Sequence, residues 1–148
     1  MNTDPIDWKS YDSAAAPRVA VYVEGANHKN PVPACCRRGP LVESGSIFGR
    51  NAETGELMEG IEAQCNHMLE NLRLIVEAAG GSTADILKVT VWMKDRSHRP
   101  ILNVPWLAMF PHAGSRPARH AIHAPHLDGG KLLECVFTAY IPDNRERT

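Results

Sequence analysis

The sequence predicts an α+β domain, a mixed sheet with two helices packed on one of its faces. Three observations carry this expectation. Residues 58–79 hold one apolar stripe at helical spacing, residues 86–95 alternate as a half-buried strand should, and short extended runs stand before and after them. Helices gathered on one side of such a sheet give the α+β class. Two helices leave the second sheet face open, so a homo-oligomer is expected to cover it.

Taken in order, residues 1–17 form an N-terminal arm in which Trp8 and Tyr11 are the only large anchors. The single domain is placed at 18–142, followed by a charged tail at 143–148. RVAVYVEG at 18–25 alternates as a strand, and ANHKNPVP breaks regular structure. ACCRRG and LVESGSIFG are extended pieces hinged at Gly39-Pro40, with NAETGE as a polar turn. In the long helix Ile61, Cys65, Met68, Leu72, Ile75 and Ala79 step by four and three, and Gly80-Gly81 supplies a left-handed stop. Ser82 to Asp85 has the spacing of a capping box.

In the next strand Leu87, Val89, Val91 and Met93 face the core, against Lys88, Thr90, Trp92 and Lys94. A second helix is expected at about 101–110, with Pro105 in its first turn and Asn103 near the cap. Residues 118–124 and 132–141 read as a closing hairpin connected through HLDGGK.

Length and composition fit one globular domain: 148 residues, 43% hydrophobic and 22% charged. A formal net charge of −1 gives no electrostatic footprint for nucleic acid or an anionic membrane. Apolar runs are too short to cross a bilayer, and MNTDPIDWKSYD lacks the pattern of a secretory signal. Cys35, Cys36, Cys65 and Cys135 form no CxxC pair, so reduced thiols in a cytoplasmic protein are expected.

The chemistry-bearing residues lie in RPARHAIHAPHLDGGKLLECVFTAY. In the expected hairpin Arg119 and Glu134 meet across the ladder, either as a structural ion pair or as a site for a small carboxylated substrate. Glu134, among apolar neighbours, needs a partner or a task such as orienting water. His120 and His123 point to opposite faces of a strand and so cannot share a metal ion. HExxH, a phosphate-cradling glycine loop and a G-x-S-x-G elbow are all missing from the sequence.

SGSIFGRNAETGE, ENLRLIVEAAGGSTADILKVTVWMKD and RPARHAI with LLECVFTAYIP, in this order, resemble the reactive-intermediate deaminase family (RidA/YjgF) from about Pro33 to Pro142. The resemblance implies a chorismate-mutase-like α+β fold and a homotrimer with its sheets packed centrally and sites in the subunit clefts. It implies that Arg119 holds a substrate carboxylate and that the catalytic glutamate, fifteen positions on (134 − 119 = 15), is Glu134. Ser44 would help line the pocket and Trp92 would form a wall. Two positions depart from the family pattern. Ala121 stands where founding members often carry cysteine, and the pocket tyrosine has no counterpart among Pro31 to Ala34.

The implied activity is hydrolysis of a 2-imino or enamine acid to a 2-oxo acid and ammonia. It needs no metal or organic cofactor, because the imine is already electrophilic. The NPVPACCRRG segment is closer to divergent members, among them deaminases of ring-cleavage products such as 2-aminomuconate. Family members have also been labelled ribonucleases or translation inhibitors, so a non-catalytic ligand-binding or RNA-directed protein is a third reading. The net charge and the lack of basic-aromatic motifs argue against RNA.

Overall fold

The computed structural model describes residues 2–12, 14 and 17–142, so the expected charged tail lies outside the described residues. Its strands are β1 (Val19–Val21), β2 (Cys35–Arg38), β3 (Leu41–Ser44), β4 (Ile47–Phe48), β5 (Ile86–Met93), β6 (Ala118–His123) and β7 (Leu133–Tyr140). The helices are α1 (Ile61–Ala78) and α2 (Arg99–Met109). One sheet runs β1-β2-β3-β7-β5-β6, with β4 also paired to β7. Only β5 and β6 are parallel, joined through α2 as a βαβ unit.

One face of the sheet is apolar because its strands alternate. Val42, Ile47, Val89, Val91, Cys135 and Phe137 are buried, and they share a core cluster with the stripe of α1 and with Leu102 and Trp106 of α2. On the opposite face Leu41 and Tyr140, directly paired, stay 57% and 45% exposed. Such apolar area on an open sheet is the surface that the sequence expected a second copy to cover.

The end of α1 follows the glycine signal. Gly80, at φ +93°, donates to the Glu77 carbonyl and Gly81 to that of Val76, which is the Schellman arrangement. The capping box at Ser82 and Asp85 is also present, on one 3-10 turn. The arm closes over this helix end. Trp8 Nε1 donates to the Ala78 carbonyl at 2.8 Å, and the hydroxyl of Tyr11 accepts from the Gly39 amide at 2.8 Å. Arg37, only 3% exposed, lies 4.7 Å from the Trp8 ring centroid and 4.8 Å from that of Tyr11, and donates to the Gly39 and Ala79 carbonyls. A buried guanidinium is held there by aromatic faces and carbonyls that offset part of its desolvation.

Four expectations are corrected. The closing hairpin does not exist, because β5 lies between β6 and β7. The βαβ crossover sets β6 beside β5, and β7 takes the other edge of β5, so the 124–132 segment passes around the end of β5 instead of turning between paired strands. Leu87 is 57% exposed: an irregularity between Ile86 and Lys88 makes Ile86 the core residue. Pro105 is inside α2, since Pro100 occupies the first turn, and Asn103 is a helix residue rather than a cap. Burial of Leu102, Trp106 and Phe110, four apart, outweighs the hydrogen bond lost at Pro105. Finally, β1 is only three residues long, because the Val23 amide is taken by Asn27 Oδ1 and leaves the ladder.

Replacing Arg37 tests the clasp at the end of α1. Arg37→Met removes two charged hydrogen bonds and leaves two carbonyls without their donor, a loss of at least about 2 kcal/mol. Thermal unfolding followed by circular dichroism should show Tm lowered by roughly 4–8 °C.

Candidate active site

The two residues singled out by sequence stand at two separate poles. Residues opposite one another in a ladder share a face, and Arg119 is opposite Val89, which is opposite Phe137. Arg119 therefore belongs to the helix-covered face. Its Nη2 donates to Asn103 Oδ1 at 2.7 Å, and its Cζ is 4.9 Å from the Trp106 ring centroid. Nη1 is buried with no partner. Among the described residues no carboxylate pairs with this guanidinium, so a buried donor is left open to an acceptor from outside the chain. Burial, and then the neighbouring Arg99, hold its pKa below the usual arginine value. It nevertheless stays a cation at any working pH. Ala121, two residues on, shares this face and is half-buried against the core.

Glu134 is opposite Trp92 and Phe48, on the face away from the helices. Its partner is Lys131, with Nζ 3.7 Å from Oε2, and not Arg119. Lys131 Nζ is also 4.6 Å from the Phe48 ring centroid, and Arg50 Cζ is 5.2 Å from the same centroid. His28 completes the group. Its Nε2 is buried without a partner and would lie 3.2 Å from a Cβ added at Gly45. Burial, then Arg50 and Lys131, lower the His28 pKa, and Glu134 partly opposes them.

This pole is built by polar side chains buried under α1. Asn71 Nδ2 donates to the carbonyls of Phe48 and Arg50. Gln64 Nε2 donates to those of Met58 and Gly130, while its Oε1 accepts from the Leu132 amide. One helix thereby fixes the ends of β4 and the segment that carries Lys131. Arg50 Nη2 in turn donates to the Asn27 carbonyl, the residue before His28.

Three residues of β5 and two strand spacings separate Arg119 from Glu134, about 14 Å between their Cα positions, and their side chains leave opposite faces. Within one chain the structure does not bring the pair together. Trp92 stands beside Glu134 on its face, half-buried. Ser44 lies where β3 ends, and its Oγ accepts from the Phe137 amide at 2.8 Å, which fills the gap in the ladder between β3 and β4. His120 and His123 are opposite Thr90 and Met93, hence on different faces as expected from strand parity. Among the described residues no three metal-binding side chains gather. Among the described residues no helix is long and apolar enough to cross a membrane.

Sequence reasoning missed His28, Arg50, Lys131 and Asn103. Gln64 and Asn71 did carry a signal: each stands three residues after a stripe position, Ile61 and Met68, and so on the buried arc of the helix.

The family model described as endoribonuclease L-PSP matches residues 15–141. The chain belongs to that family, the RidA/YjgF proteins. A RutC family protein of Pyrococcus horikoshii is 38% identical over 89 residues, 60% of this chain and 69% of the relative. The 2-iminobutanoate/2-iminopropanoate deaminase of Escherichia coli is 32% identical over 117 residues, 78% of this chain and 84% of the relative. The crystal structure of RidA from an Antarctic Psychrobacter matches with a TM-score of 0.74 at 31% identity, covering 80% of this chain and 94% of that one. The architecture described above is thus the YjgF-like fold.

This RidA/YjgF protein has a cysteine beside Glu134 rather than two after Arg119, and it is fully enclosed. Burial, and next the Glu134 charge, push the Cys135 thiol far up; burial and then Cys36 raise Cys35 to about 12. Burial also raises Cys65 to about 11, with Arg119 opposing. Thiolate is the nucleophilic form, so these three thiols should be inert in the folded protein. An aromatic disulfide reagent at pH 8 should titrate at most one thiol, Cys36, in the native state. All four should titrate after unfolding in guanidinium.

Proposed function

We propose that the protein hydrolyses 2-imino and enamine acids to 2-oxo acids and ammonia, with Arg119 holding the carboxylate and Glu134 orienting water. The observation that carries this reading is the buried Nη1 of Arg119, a charged donor with no acceptor among the described residues. Leaving such a donor unmatched costs about 1–3 kcal/mol, which a bound carboxylate would recover through the planar fork. The name of the Escherichia coli relative, an iminoacid deaminase, points to the same chemistry.

Because Arg119 and Glu134 occupy opposite faces, the working site joins Arg119 of one copy to the Glu134 pole of another. A homotrimer with its sites in the subunit clefts provides this, and it covers the Leu41 and Tyr140 face. Ser44, Trp92 and Ala121 line the cleft in this reading. Arg119 fixes the imine carbon against a water on Glu134, so positioning and proton transfer share the barrier. The chain's own residues supply each of these roles.

A second substrate class has a specific observation in its favour. Lys131 and Arg50 give the Glu134 pole an excess of positive charge, suited to a second carboxylate. An unsaturated amino diacid such as 2-aminomuconate would place one carboxylate at each pole.

The test uses imines generated in situ by an amino-acid oxidase. The native protein should speed 2-oxo acid release from 2-iminobutanoate. Arg119→Ala should lower kcat/KM by about 100-fold or more and Glu134→Gln by roughly 10²–10⁴, each with the native melting curve. Equal rates for Arg119→Ala and the native protein would sink the proposal, and a run with 2-aminomuconate decides between the two substrates.

A further inference from the structure

The His28 imidazole is not explained by packing. Its loop is held on all sides: Asn27 Oδ1 takes the Val23 amide, Arg50 donates to the Asn27 carbonyl at 2.6 Å, and Ala26 is buried. Gly25, at φ +79°, lets the loop come so near Ala52 that a Cβ would stand 2.0 Å from its carbonyl oxygen. This architecture sets His28 in one place, yet its buried Nε2 has no hydrogen-bond partner among the described residues. The space around Nε2 is kept by Gly45 on one side, and the charged neighbours are Arg50, Lys131 and Glu134. A buried ring nitrogen without a partner, in a loop tied by Arg50 to the pole that carries Phe48 and Glu134, calls for a water or ligand atom as its partner.

We propose that His28 is a further catalytic residue, sharing the hydrolytic water with Glu134. The inference rests on the deaminase reading. As the water oxygen bonds to the iminium carbon, the C=N π pair moves to nitrogen and Glu134 takes one water proton. In the second step Glu134 returns that proton to the amine nitrogen, the C–N bond breaks and ammonia leaves. His28 takes the hydroxyl proton as the C=O bond forms, then releases it to solvent. Iminium and water thus become 2-oxo acid, ammonia and one proton. His28 must be neutral to accept, and its environment favours that form: burial, Arg50 and Lys131 keep its pKa below the ordinary 6.5.

His28→Gln keeps the size of the side chain and removes the base. The expected result is kcat lower by about 100-fold with KM changed less than threefold. The acid limb of the native pH–kcat profile, placed below pH 6.5, should vanish. An unchanged kcat with the same limb overturns the proposal. If His28→Gln does not fold, the native protein still decides: in an NMR titration of its seven histidines, 2-oxobutanoate should shift the His28 ring resonances and pKa more than the others. No shift at His28 overturns the proposal. A native protein without iminoacid turnover defeats the deaminase reading itself, and the same titration then tests His28 as a ligand-binding residue of the pole.

Discussion

Everything about the site depends on the place of β5. It lies between β6 and β7, parallel to one and antiparallel to the other, and its register assigns faces to both. Val89 carries Arg119 to the helix side, and Trp92 carries Glu134 to the open side. A single-residue slip in either ladder would exchange the faces. The slip is opposed by the whole apolar row of Val89, Val91 and Met93, all fully or nearly fully buried. Core packing therefore fixes which face each of the two side chains takes, through strand parity and not through contacts at the candidate site.

The second pole depends on hydrogen bonds that sheet structure does not supply. β4 is two residues long and cannot hold Phe48 and Arg50 by its ladder alone. Asn71 grips the carbonyls of both residues, and Gln64 grips the strand entry at Gly130 and Leu132. Both amides are 2% exposed, so each bond is made away from competing water. The same helix that fills the core with Met68, Leu72 and Ile75 thus helps set Lys131 beside Glu134 and Arg50 over the Phe48 ring. Stability and site geometry share one element, and mutations of its polar residues should act on both.

Much of this was legible in the sequence where period and chemistry agreed. The α1 stripe, the Gly80 stop, the capping box and the alternation of β7 each have a local cause, and each is in place. The hairpin was misread because HLDGGK has turn chemistry, while the insertion of β5 is a long-range event that no local signal records. Leu87 was misread because the irregularity after Ile86 shifts the alternation by one. Sequence spacing singled out Arg119 and Glu134 as a pair expected to meet across a hairpin, whereas the register places them on different faces. His28 was hidden for a related reason: a histidine in an Asn- and Pro-rich loop looks like a surface residue until the fold brings Gly45 and Glu134 to it.

The separation of the poles also explains why each can be prepared in advance. Within one chain, a guanidinium and a carboxylate on the same face would pair as the chain folds, which is the structural ion pair the sequence allowed. Here Arg119 is held by a neutral amide and an aromatic face, and Glu134 by a lysine at 3.7 Å, longer than a strong charge-assisted hydrogen bond. Within the chain neither charge is neutralised by the other, and both would be available to a second copy. On the proposed reading, assembly creates the site without rearranging either pole, so little reorganisation would be needed at the moment of reaction. The proposed function ties the open sheet face and the split pair together: the fold is complete within one chain, and the chemistry proposed for it would be complete only beside a second copy.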